Sequence, residues 1–161
     1  MDRKKLVFFL RTVLILCAVM AAGVCFLLLP LVFSHVTELY PEREKDRTLI
    51  FAAVWSFGIP LLLAMIPAWR VIGSLREKRG AFCRENALRL RRTGLFLALG
   101  TGLMLLFTLI MLFTGIMHRT PGYWFFPLFI LLGGVAGFLC FALAYLVEES
   151  AEIREENDLT V

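Results

Sequence analysis

Charge is nearly absent from four stretches of this 161-residue chain, about 6–33, 49–69, 93–117 and 123–147, within which Arg11 is the one charged residue. Histidine is absent from them too, as is the apolar–polar alternation that barrel strands need. The first absence argues against ion transport or proton relay, which place an ionisable side chain near the bilayer centre. Cysteine is sparse: Cys17, Cys25, Cys83 and Cys140 include no Cys-x-x-Cys spacing, which argues against a metal cluster or redox centre. Paired carboxylates and a Ser-His set within reach of one face are missing as well. No catalytic residue, metal or cofactor is expected, and the chain is not read as an enzyme.

What is present is apolar: 60% of residues are hydrophobic and 19% charged, with a mean hydropathy of +0.80. About 20 helical residues rising ~1.5 Å each match a ~30 Å hydrocarbon core, so each stretch is long enough to span. Backbone groups in lipid need internal partners, which runs of this kind supply only as helices. The expected fold is all-α: a polytopic membrane protein with four transmembrane helices in a compact bundle, forming one domain over residues 1–161. Asp2-Arg3-Lys4-Lys5 ahead of an apolar run has the layout of a signal peptide, but the run continues to Phe33, too long for a cleaved segment. Helix one is retained.

Orientation follows from the basic residues. Residues 1–11, the 70–92 segment and Arg154 hold thirteen of the 17 Lys and Arg, against Arg43, Lys45, Arg47 and Arg119 on the other side. The richer side is expected to be cytoplasmic. This places a multi-pass protein in the cell membrane with both termini inside. Its outer connections are Ser34–Arg47 and the Pro121-Gly122 turn, and Tyr123 and Trp124 sit at the headgroup level. The net charge of +4 is accounted for by lipid headgroups and topology, so no direct nucleic-acid binding is expected.

Small residues four apart let helices approach closely in lipid. Gly94, Ala98 and Gly102 form such a stripe on the third span and Gly133 and Gly137 another on the fourth, while Pro60 is expected to kink the second. The stripes suit the core of a bundle, with homodimerisation through the fourth span as an alternative use. Thr101, Thr108 and Thr114 are expected to bond back to their own helix. Arg11 is expected to snorkel to the interface. His35 and His118, at the outer ends of spans one and three, are candidates for meeting each other and, with Glu38, binding a metal or sensing pH.

The cytoplasmic segments are the most distinctive. One reads Gly80-Ala81-Phe82-Cys83-Arg84-Glu85-Asn86-Ala87-Leu88-Arg89-Leu90-Arg91-Arg92-Thr93-Gly94, and the tail reads Ala151-Glu152-Ile153-Arg154-Glu155-Glu156-Asn157-Asp158-Leu159-Thr160-Val161. Together they resemble the bacterial membrane protein family catalogued as domain of unknown function 2975, over nearly the full length. Cys83 stands where that family tends to have Thr or Ser, and Thr93 stands in place of Ile. A Thr or Ser there would cap the following helix, and Cys is a poorer cap, leaving Asn86 as a local substitute. The resemblance implies four spans and no established activity. It also implies an association with a short helix-turn-helix regulator.

Charge supplies a separate clue. The 70–92 segment has a balance of +6, and 148–161, with its terminal carboxylate, −6. Oppositely charged segments tethered at one face are expected either to fold together or to grip a partner. The expected partner-binding residues are Arg84, Arg89, Arg91 and Arg92 of the basic loop and Glu152, Glu155, Glu156 and Asp158 of the acidic tail. The function expected is that of a non-enzymatic membrane scaffold or regulator binding a cytoplasmic protein, such as a helix-turn-helix regulator. The alternative is a small transporter or channel subunit acting as an oligomer.

Overall fold

Long apolar runs dictate helices, and the computed structural model of the chain, which describes residues 3–28, 31, 34–35, 44–75, 83–119 and 123–159, contains helices and turns and, among the described residues, no strand. Helix α1 spans Arg3–Gly23 and continues as a π-helical segment, Val24–Leu28. It is followed by α2 (Glu44–Ser74), α3 (Arg84–Phe113), a short 3-10 turn (Met117–Arg119) and α4 (Phe125–Leu159). Four stretches are long and apolar enough to cross a membrane: Lys4–Leu28, Asp46–Ser74, Arg84–Phe113 and Phe125–Ile153. Large apolar side chains such as Phe8, Leu16, Leu131 and Phe138 face outward along them, as a lipid-facing surface requires. Water would penalise such a surface.

The helices pack in chain order. α2 lies along α3 and α3 along α4, while α1, among the described residues, packs on α2. The closest packing is among α2, α3 and α4, with α1 attached to α2 at one side. Hydrophobic burial gives no drive for association in lipid, and α1 buries only Val7 and Cys25 among its described residues. Its π-helical continuation sits in a notch at Gly58, where an added Cβ would come within 2.5 Å of Cys25 Sγ. Beside it, Trp55 Nε1 donates to the Cys25 carbonyl at 3.1 Å, at the point where α-helical hydrogen bonding gives way to the wider π pattern.

The small-residue stripes are partly corrected. A Cβ on Gly94 would meet the Gly137 carbonyl oxygen at 3.1 Å, one on Gly133 would meet Phe57 Cε2 at 2.7 Å, and one on Gly137 would lie 3.5 Å from the Ala98 backbone nitrogen. Those three glycines and the Ala98 backbone sit where helices meet. Gly102 does not: nothing lies within 4 Å of its added Cβ. A row of every fourth residue turns about 40° per step on an ideal helix, so by Gly102 it has rotated out of the interface. The contact follows Gly94, Leu97 and Thr101 instead. Gly100, outside the expected stripe, receives Pro60: its added Cβ would come 2.9 Å from the ring. α2 runs helical through both Pro60 and Pro67, so Pro60 acts as a ridge against α3. Toward the far end from the 75–83 connection, Ile50, Ala53, Met104, Met111, Met117 and Phe126 form a buried cluster, with flexible thioethers filling an irregular gap.

Thr108 and Thr114 bond back to the carbonyls of Met104 and Ile110 at 2.7 and 2.8 Å, as expected. Thr101 differs. Its hydroxyl is buried with no hydrogen-bond partner and faces the Gly133 backbone.

Candidate docking face at the charged helix ends

The segment expected to be a basic loop over 70–92 is mostly helix. α2 continues to Ser74 and α3 begins at Arg84, so Arg70, Arg84, Arg89, Arg91 and Arg92 ride on rigid turns that extend the spans. Arg76, Lys78 and Arg79 lie outside the described residues. Cys83 occupies the cap position of α3 with extended backbone (φ −126°, ψ 148°) and gives no side-chain cap. Its carbonyl accepts the Asn86 and Ala87 N–H groups at 2.9 and 3.3 Å.

Asn86 ties α3 to α2. It is 1% exposed, and its Nδ2 donates to Ser74 Oγ at 2.6 Å, fastening the start of α3 to the end of α2. Ser74 Oγ donates in turn to the Val71 carbonyl at 2.7 Å. On the other side, Arg89 Nη1 donates to Asn86 Oδ1 at 3.2 Å and Nη2 to Glu85 Oε1 at 2.5 Å. This chain of polar groups meets the rule that buried amides are partnered. It closes the α2–α3 connection and fixes the direction of the Arg89 guanidinium. Sequence reasoning missed the Ser74–Asn86 clasp, because its signal was a single Asn in an otherwise basic and apolar run.

The four expected arginines fall into two pairs. Arg84 and Arg91, seven residues apart, lie on one stripe of α3, whereas Arg89 and Arg92 lie roughly a third of a turn away, on the side that lines a groove against Arg70 and Ile66 of α2. Arg84, Arg91 and Arg92 are exposed. The tail is helical to Leu159, and Ala151 is still buried, so α4 keeps its packing one or two turns beyond its apolar run. Glu152 is exposed. Among the described residues the one ion pair is Arg89–Glu85, so Glu152 does not pair with these arginines. The side chains of Glu155, Glu156 and Asp158 lie outside the described residues.

Arg11 is half-buried: its guanidinium stacks over Trp69 at 4.9 Å, a cation–π contact, and reaches Gly73 near the end of α2. Its Nε is buried without a hydrogen-bond partner. At the opposite end of the molecule, His118 packs edge-on to Tyr123 at 6.2 Å, and Tyr123 lies 4.4 Å from Trp124 between ring centroids. Among the described residues no three His, Cys, Asp or Glu side chains gather as a metal site, and Glu38 lies outside them.

Comparison with known proteins agrees with a membrane protein of uncharacterised function. Residues 31–161 match the family described as "Protein of unknown function (DUF2975)". The chain is 26% identical to the "Uncharacterized membrane protein YoaS" of Bacillus subtilis (strain 168), over 95% of this chain and 96% of that protein. No solved structure matches it.

Proposed function

We propose, from the premise that this chain belongs to the family described as protein of unknown function (DUF2975), that it is a non-enzymatic membrane scaffold or regulator of the cell membrane. Both termini are cytoplasmic in this proposal, because the basic residues are concentrated on their side. Its cytoplasmic face docks a protein through Arg84, Arg89, Arg91, Arg92 and the acidic end of α4. The observation that carries the proposal is the unbroken course of α4 to Leu159. That helix holds Glu148, Glu149, Glu152, Glu155 and Glu156 three and four residues apart. Like charges at that spacing cost a helix roughly 0.2–0.5 kcal/mol per pair, and acids near a C-terminus oppose the helix dipole. A partner with a basic surface, such as the DNA-contacting face of a helix-turn-helix regulator, offsets both costs.

Affinity purification from the native host at low salt tests it. A cytoplasmic partner should co-purify with the intact chain and be lost when Glu152, Glu155, Glu156 and Asp158 are changed to Lys, with membrane insertion unchanged. Equal recovery from both, or no partner from the intact chain, refutes it.

A further inference from the structure

Two grooves open on the same side of α2. The larger, ≈590 Å³, runs between α2 and α3, with Leu63, Ile66 and Phe96 along its wall and the guanidinium groups of Arg70, Arg89 and Arg92 at one end. The smaller, ≈290 Å³, runs between α1 and α2 past Leu14, Ile15 and Met65, and it shares Ile66 and Arg70 with the first. Both are apolar along stretches that lie within the membrane-spanning helices. In the larger groove polarity rises in one direction: on α2 the charge comes after Leu63 and Ile66, and on antiparallel α3 it comes before Phe96.

Among the described residues, charge at that end is not balanced. Glu85 also lines the larger groove, but it is bonded to Arg89. Arg70 and Arg92 are exposed and have no ion pair among the described residues. The arrangement asks for a ligand with one anionic group and two apolar arms. From these features we propose that the paired grooves bind one anionic diacyl phospholipid. Its phosphate lies between Arg70 and Arg92, and one acyl chain occupies each groove on either side of Ile66. A soluble acidic peptide would satisfy the guanidinium groups but leave the apolar stretches, which lie at membrane depth, without a matching surface. A zwitterionic lipid would bring an ammonium group toward the same arginines and lose part of the attraction.

Basic side chains near a membrane surface favour anionic lipid, so two arginines without an ion pair among the described residues give a preference on the order of tenfold. Native mass spectrometry of the full chain, released from micelles doped with equal amounts of phosphatidylglycerol and phosphatidylcholine, reads this ratio directly. One retained phosphatidylglycerol, enriched about tenfold, is expected. Arg70→Gln with Arg92→Gln should bring the two lipids to near-equal retention, while Arg84→Gln with Arg91→Gln, on the other stripe, should leave the enrichment in place. Single-chain lysophosphatidylglycerol should be retained less than the diacyl lipid, since one groove is then empty. Equal retention of both phospholipids by the unmodified chain overturns the proposal, as does loss of enrichment in the Arg84/Arg91 variant alone. Displacement of the lipid by inorganic phosphate would mark the site as one for a small anion, and also overturns it.

Discussion

Replacing Gly100 by Ala probes the packing account where its geometry is tightest. The new methyl would stand 2.9 Å from Pro60 Cβ, 3.2 Å from Pro60 Cγ and 3.4 Å from the Phe57 carbonyl oxygen. Pro60 is a closed ring in the middle of a helix and has no alternative rotamer to adopt, so α2 or α3 must move. Overpacking of this kind costs about 1–3 kcal/mol. Removing a glycine from a helix contributes in the opposite direction, about 0.5–1 kcal/mol. Gly102 supplies the control, two residues along the same helix with open space where its methyl would go. The helix-propensity gain is common to both variants and cancels between them. Gly100→Ala should therefore be about 1–3 kcal/mol less stable than Gly102→Ala, measured from the midpoints of SDS unfolding titrations in mixed micelles. A Gly100→Ala variant as stable as Gly102→Ala would remove the Pro60–Gly100 contact from the account.

Ser74→Ala removes the acceptor that Asn86 Nδ2 holds at 2.6 Å, and loss of that bond should cost roughly 0.5–1.5 kcal/mol in the same titration. Thr101→Val should be neutral or stabilising, because the hydroxyl it removes is buried without a partner, whereas Thr108→Val, which deletes a made bond, should lose roughly 0.5–1.5 kcal/mol. For the proposed orientation, a membrane-impermeant thiol reagent applied to intact cells should label Ser34→Cys and leave Cys83 unmodified; labelling of Cys83 in sealed cells would invert the topology.

The spans were legible in the sequence because their signal is length and the absence of charge, and lipid leaves such runs one backbone solution. Their ends were less so. Charged residues flanking an apolar run mark the membrane interface but do not stop a helix, so α2 and α3 run on into the basic segment and α4 into the acidic tail. The glycine stripes follow from spacing alone. Spacing identified Gly94, Gly133 and Gly137 but admitted Gly102 and passed over Gly100, because which side of α3 meets α4 and which meets α2 depends on the partners' shapes. The arginines were visible as a cluster, while their division into Arg84 with Arg91 and Arg89 with Arg92 required the helix to be extended back to Arg84 and α2 to be seated against it. The Ser74–Asn86 clasp joins residues twelve apart across a chain reversal, and no local pattern announces it.

The claim that the charged helix ends form a docking face is tested most directly by a photo-crosslinking amino acid placed at position 152, in intact cells of the native host. The account predicts a discrete adduct with one cytoplasmic protein, lost when Glu155, Glu156 and Asp158 are changed to Lys. Adducts confined to lipid or to a second copy of the chain, unaffected by that change, would contradict it.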